Sequence, residues 1–115
     1  MVIRDEKQNI DVKVKMRGGK GDVSLKHIVE GSELNHSRLF SKITLKKGCS
    51  IGTHTHLQET EYYYIIQGEG VVSENSVSYT VSVGDVVITG DQESHSIINK
   101  NDEDLVFIAL ILLND

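Results

Sequence analysis

The chain has a single cysteine, Cys49, and no proline or tryptophan among its 115 residues. One cysteine cannot form an intramolecular disulfide, which excludes a disulfide framework and favours a reducing compartment. The longest apolar run, residues 105–113, is too short for a membrane-spanning helix, and residues 1–7 lack the apolar core of a signal peptide. The sequence therefore predicts a soluble, cytoplasmic protein.

Blocks of basic residues are also absent, and the formal net charge is -5. The only basic cluster, residues 13–20, alternates with Val12, Val14 and Met16, which is typical of a solvated edge strand. Neither nucleic acid nor an anionic membrane is therefore expected as a partner.

Helical periodicity is missing, so helix is limited to one short piece near residues 30–35. Strand-like segments recur between turn signals instead. They are predicted at residues 11–16, 23–29, 38–45, 52–57, 61–67, 70–73, 77–82, 86–89, 95–99 and 104–113. Many short strands indicate an all-β sandwich or barrel, here as one domain over residues 1–115. Residues 1–10 are polar enough to form an extended N-terminal arm.

A candidate metal site stands out among these strands. His54 and His56 point the same way because side chains alternate along a strand. After a predicted turn over residues 57–60, Glu61 opens the next strand and returns beside the histidines, and His95 on another strand could supply a fourth ligand. Imidazole and carboxylate together suit a divalent transition metal such as Mn, Fe, Ni or Zn.

Other reactive side chains carry weaker signals. Tyr63 shares the face of Glu61, so its hydroxyl can line the pocket, and it is the tentative catalytic residue; Glu59 is the other candidate acid or base. His27 and His36 have no partner at ligand spacing and are interpreted as surface or satisfied core residues. Cys49 is interpreted as a small structural residue.

Two spaced motifs carry a family resemblance. The pattern G-x5-H-x-H-x3,4-E-x6-G is met throughout, by Gly48, His54, His56, Glu61 and Gly68. The pattern G-x5-P-x-G-x2-H-x3-N is met by Gly84, His95 and Asn99, while Gly90 and Gln92 replace its proline and second glycine. In these motifs the chain resembles the cupin superfamily. The two replacements bear on the rigidity of the loop before His95, and not on the ligand itself.

The resemblance implies a double-stranded β-helix, or jelly-roll barrel, that holds a metal inside. It implies that the chain is a small single-domain cupin with the ligands His54, His56, Glu61 and His95. Asn99 and the glycines at 48, 68 and 84 carry over as scaffold, the glycines at positions that need positive φ or tight corners.

Function is less constrained than fold, because cupins include decarboxylases, dioxygenases and sugar isomerases. The first hypothesis is a metal-dependent enzyme that acts on a small oxo or hydroxy acid or a sugar by Lewis-acid or oxygen chemistry. The alternative is a module that binds or senses a small ligand without turnover. Arg38 is the one arginine on a core strand, and its face is not assigned; a solvent-facing Arg38 leaves no evident anion clamp. That absence favours a neutral or singly charged polar ligand.

Two segments predict interactions beyond the metal site. Residues 105–113 are apolar at consecutive positions, so both faces of that strand need cover, which favours a homodimer over a folded-back N-terminal arm. Residues 17–21 contain three glycines together with Arg17 and Lys20. This composition predicts a mobile loop at the barrel mouth, with an ordinary flexible turn as the alternative.

Overall fold

The computed structural model describes residues 1–115 and contains ten β-strands with three short 3-10 turns. The 3-10 turns are Asp5–Lys7, Met16–Gly18 and Gly31–Glu33. The strands are β1 (Ile10–Val14), β2 (Asp22–Val29), β3 (Ser37–Leu45), β4 (Ser50–Thr55), β5 (Glu59–Gln67), β6 (Glu69–Glu74), β7 (Val77–Ser82), β8 (Val86–Thr89), β9 (Ser94–Ile98) and β10 (Leu105–Leu113). None of the helical turns is long or apolar enough to cross a membrane.

The strands form two antiparallel sheets that pack face to face. One sheet has six strands in the order β1-β2-β3-β10-β5-β8, and the other has four in the order β4-β9-β6-β7. Ile43, Ile65 and Phe107 of the first sheet and Ile51 and Ile97 of the second are almost fully buried between them. Each such side chain contributes about 1.5–3 kcal/mol by its removal from water, so this interior holds the two sheets together.

The predicted double-stranded β-helix is confirmed, and each predicted strand is present with ends shifted by a few residues. The helical piece expected near residues 30–35 is only the 3-10 turn Gly31–Glu33. The turn after the histidines is shorter than predicted, because Gln58 adopts a left-handed φ of 58° and β5 begins at Glu59. The glycines at 48, 68 and 84 have φ of 80°, 77° and 93°, as the motif implied.

Strand β10 lies in the middle of the larger sheet, between β3 and β5. Phe107, Ala109 and Ile111 face the buried interior, whereas Ile108 and Leu110 are only half-buried on the opposite face. The N-terminal arm does not pack along β10: its residue Asp5 pairs with Lys26 on β2. The alternating burial shows why an uninterrupted apolar run can belong to a sheet with one free face.

Candidate metal centre

The four predicted ligands converge between the two sheets. His54 lies on β4, His56 follows the last residue of that strand, and His95 lies on the neighbouring β9 directly opposite His54. Glu61 reaches the same point from β5 in the larger sheet. The residues are therefore brought together by the β4–β9 pairing and by the contact between the two sheets, whereas the expected pairing of the histidine strand with the Glu61 strand is absent, because β4 and β5 lie in different sheets.

The candidate ligand atoms of these four residues lie within hydrogen-bonding distance of one another or slightly beyond it. His95 Nε2 is 2.9 Å from His56 Nε2 and 3.0 Å from His54 Nε2. Glu61 Oε1 is 2.9 Å from His95 Nε2, 3.0 Å from His56 Nε2 and 3.9 Å from His54 Nε2. Separations near 3 Å match adjacent ligands on an ion with bonds of about 2.1 Å. The cluster has the composition and the spacing to hold a metal ion.

Hydrogen bonds outside the cluster determine which ring nitrogen of His54 and of His56 carries the proton in the neutral imidazole. His54 Nδ1 donates to the Gly52 carbonyl at 2.8 Å, and His56 Nδ1 donates to Glu59 Oε2 at 2.5 Å. Both partners are acceptors only, so the proton of each neutral ring lies on Nδ1. The Nε2 atoms therefore present lone pairs to the centre.

Hydrogen bonds through Thr89 place the proton of the neutral His95 ring on Nδ1 as well. The Thr89 hydroxyl donates its proton to Glu74 Oε1 at 2.5 Å and lies 2.7 Å from His95 Nδ1. With its only proton committed to Glu74, the hydroxyl accepts from His95 Nδ1–H. Three imidazole lone pairs and a carboxylate thus face one another, an arrangement that only a cation satisfies.

The pKa values of Glu61 and His56 are shifted in the directions that favour positive charge within the cluster. Burial raises the pKa of Glu61, but hydrogen bonds from the three histidines, which their Nε2 atoms donate only when protonated, outweigh burial and hold that pKa far below its ordinary range. The Glu61 carboxylate, aided by Glu59, raises the pKa of His56 against the effect of burial. The surroundings of His56 therefore favour its positively charged form.

Arg38 is part of this arrangement. Its Nε and Nη2 atoms each donate to Glu59 at 2.7 Å, while its side chain remains 44% exposed at the mouth of the site. Arg38 lowers the pKa of Glu59 to about 2, against burial and together with His56. Glu59 is therefore an ion-paired support for His56, which leaves it a poor candidate for the acid or base proposed from sequence.

The loop before His95 is closed by hydrogen bonds although it lacks the family proline. Gly90 N donates to Glu93 Oε1 at 2.7 Å, a bond that proline could not make, and His56 exchanges backbone hydrogen bonds with Gln92 and Glu93 at 2.6 and 3.0 Å. Gln92 has a φ of 65° and keeps the left-handed conformation that the motif glycine would adopt. The loss of two turn residues therefore leaves His95 in place.

A cavity of about 490 Å³ opens beside the cluster. His54, His56, Glu61 and Tyr63 lie on its inner wall, and four cationic residues line it as well: Lys13, Lys15, Arg17 and Arg38. The sequence showed no evident anion clamp, and the structure adds cationic residues from outside the core strands to the cavity wall. Of the basic cluster at residues 13–20, the first two residues end the exposed edge strand β1, as predicted, whereas the 3-10 turn Met16–Gly18 bends the following residues against β4, which local alternation could not indicate.

Tyr63 occupies the inner wall as predicted and is 2% exposed. Its ring stacks on His95 with centroids 5.0 Å apart and packs against Phe107 at 4.6 Å. Burial, and then the negative charge of Glu61, raise the pKa of the Tyr63 phenol well above its ordinary value, with Arg17 opposing them. The phenol is therefore a neutral hydroxyl at physiological pH.

The remaining candidates have structural roles. His27 lines the cavity, but its two nitrogens lie 2.8 Å from Ser41 Oγ and Asp11 Oδ2, and Ser41 is fully buried. His36 is exposed, and Cys49 packs against the core. A larger cavity of about 610 Å³ lies along β7 and β8, but no histidine or cysteine lines it.

These features define a small β-barrel protein of the double-stranded β-helix class with a candidate metal site inside. A family model described as "Cupin domain" matches residues 41–111, and the chain belongs to that family.

A Thermotoga maritima protein named "Oxalate-binding protein" is 41% identical over 114 residues, which are 98% of this chain and 94% of that protein. The crystal structure of a predicted oxalate decarboxylase from Thermotoga maritima superposes with a TM-score of 0.93, at 41% identity and with 98% of this chain and 99% of that chain covered. A putative sugar phosphate isomerase from Acidithiobacillus ferrooxidans has a TM-score of 0.82 at 22% identity, with 99% and 76% covered, which shows the shared fold alone.

Proposed function

We propose that the protein binds one divalent transition metal, of the group Mn, Fe, Ni and Zn, and uses it to bind a small dicarboxylate of the oxalate class. The ligands are His54, His56, Glu61 and His95. The observation that carries this proposal is the group of three imidazole lone pairs and one carboxylate that face one another at the wall of a cavity with cationic residues.

Charge favours a dianion at this site. A divalent ion bound by three neutral imidazoles and one carboxylate keeps a net positive charge, and the cavity residues Lys13, Lys15 and Arg17 add to it. The Thermotoga maritima relative named an oxalate-binding protein supports the same ligand class, at 41% identity over nearly the whole chain. This ligand replaces the neutral or singly charged one expected from the sequence.

Binding without turnover is the function that the geometry supports best. Of the two buried carboxylates near the cluster, Glu61 is a metal ligand and Glu59 is paired with Arg38, so no uncommitted carboxyl group lines the cavity. When bound, the metal would act as a Lewis acid on its ligand. Enzymatic turnover is the second candidate, and the observation that favours it is the buried Tyr63 hydroxyl on the cavity wall.

Titration with oxalate tests the proposal. Metal-free protein and forms loaded with Mn, Fe, Ni or Zn are each titrated with oxalate and with acetate by calorimetry. We expect oxalate to bind only to loaded protein and more tightly than acetate, because the positive charge of the site comes largely from the ion. Failure of every loaded form to bind oxalate would overturn the proposal.

The same samples separate binding from turnover. Isotope-labelled oxalate is followed by NMR under air and under nitrogen, and a binding module returns it unchanged. If formate and carbon dioxide appear, Tyr63→Phe should reduce the rate while the metal content stays the same, because Tyr63 is not a ligand. In contrast, a Glu61 variant should lose both metal and turnover.

We also propose that the protein is a homodimer that pairs through the outer face of the larger sheet. Two rows of facing residues cross strands β3, β10, β5 and β8 on that face. They are Phe40, Leu110, Tyr62 and Ile88 in one row, and Lys42, Ile108, Tyr64 and Val86 in the other. Because seven of these residues are apolar or aromatic, and Ile88 remains 58% exposed, the face suits a second copy of itself.

A charge at the centre of this face should separate the subunits. We expect Leu110→Glu to give a folded monomer, because Leu110 is half-buried on the outer face and does not reach the barrel interior. Light scattering at micromolar concentration measures the mass, and circular dichroism checks the fold. Val77→Glu, at a 54% exposed position in the other sheet, is the control and should remain dimeric. A monomeric wild-type protein would contradict the dimer.

A further inference from the structure

We propose that Arg17 determines specificity at this site by binding the carboxylate oxygens of a dicarboxylate that the metal leaves free. The inference rests on the proposed binding of a small anion at the metal. Arg17 would make the protein discriminate a dicarboxylate from a monocarboxylate, since only the former offers a second carboxylate for the guanidinium.

Arg17 is the cavity arginine with an uncommitted guanidinium. Arg38 directs two of its nitrogens at Glu59, whereas Arg17 forms no ion pair or side-chain hydrogen bond within the chain. The lysines of the cavity offer point charges, but a guanidinium offers a planar pair of donors that matches a carboxylate. Arg17 lines the same cavity as Tyr63 and the candidate ligands His54, His56 and Glu61.

The loop that carries Arg17 packs closely against the metal-binding strand β4. A methyl group on Gly52 would lie 2.2 Å from the Arg17 carbonyl oxygen, and one on Gly19 would lie 2.3 Å from the Ser50 carbonyl oxygen. Ser50 N also donates to the Lys20 carbonyl at 2.8 Å. Such close packing of backbone on backbone places the loop directly against β4.

Gly52 connects this loop to the metal ligands. Its backbone packs against Arg17 on one side, and its carbonyl accepts the Nδ1–H of His54 at 2.8 Å. One residue therefore positions both Arg17 and a metal ligand. This shared support places the backbone of Arg17 close to the strand that carries His54.

Backbone strain at the same point favours a functional role. Lys15 and Arg17 have φ of 53° and 56°, in the left-handed region that glycine adopts more easily than a long side chain. A non-glycine residue in this conformation is less stable than glycine would be, and such outliers concentrate at ligand sites. Keeping an arginine at position 17 thus opposes stability, which agrees with a role in binding.

The experiment compares Arg17→Gly and Arg17→Lys with wild type, all loaded with the same metal. Arg17→Gly should melt at a higher temperature, because the strain is relieved, and should bind oxalate about ten-fold more weakly or worse. Arg17→Lys should lose part of the affinity for oxalate, since lysine keeps the positive charge but lacks the planar pair of donors of the guanidinium. The metal content and the affinity for acetate should change little in both variants.

Ser76→Gly is the matched control, because Ser76 has a φ of 73° in the turn between β6 and β7 and does not line the cavity. It should raise the melting temperature without changing the affinity for oxalate. If wild type binds oxalate and both Arg17 variants keep the same preference for oxalate over acetate, the role of Arg17 is refuted while the proposed function stands. If loaded wild type binds no oxalate, the proposed function fails and the inference fails with it.

Discussion

Replacing His54 and His56 together with alanine is expected to abolish stoichiometric metal binding. The two residues supply two of the four ligand atoms, and the remaining pair, Glu61 and His95, lies on two different sheets. Two ligands hold a divalent ion far more weakly than four, and the free energy that the metal adds to folding is lost with it. Elemental analysis of protein purified without chelator should show about one metal per chain for wild type and almost none for the variant.

The expected loss has to be separated from nonspecific effects of removing histidines. His36→Ala removes an exposed histidine outside the cluster and should keep the wild-type metal content and melting temperature. Circular dichroism shows whether the double variant retains its strands. A folded double variant with as much metal as wild type would show that the assigned ligands are wrong.

The difference in melting temperature between metal-loaded and metal-free protein is expected to grow from pH 5 to pH 8. Without metal, folding raises the pKa of His56 above 6.5, through Glu61 first and also through Glu59. The stability from this group is fully present below pH 6.5, the ordinary value, and is lost as the pH rises through the raised one. A metal must displace that proton, so its affinity rises with pH over the same range.

Thermal unfolding of both forms across this pH range measures the effect. Glu59 has its pKa lowered from 4.5 to about 2, so its contribution is present above pH 4.5 and is lost as the pH falls towards 2. Measurements between pH 5 and 8 stay above that window, so the contribution of Glu59 is constant over the range compared. A constant difference between the two forms from pH 5 to pH 8 would contradict metal ligation by the histidines.

Several of the contacts that support the site were beyond prediction from sequence. The bond of Arg38 to Glu59 spans 21 positions, and that of Thr89 to Glu74 spans 15. Such pairs form only after strands from distant parts of the chain are aligned, and neither has a spacing that a single strand would impose. The cationic cavity was missed for a related reason, since the bend that brings Arg17 to β4 depends on Gly52, which lies far along the chain.

The sequence by itself indicated the strands and the four candidate ligands, because alternation, turn residues and the His-x-His spacing act over a few neighbouring residues. The choice of a barrel over a sandwich came from the family resemblance of its two motifs. The sequence also placed Tyr63 correctly, since that prediction needed only strand parity. The tertiary structure alone decided which groups support the ligands and what charge faces the cavity. Those properties depend on register and on packing between sheets, where a shift of one residue would turn each side chain to the opposite face.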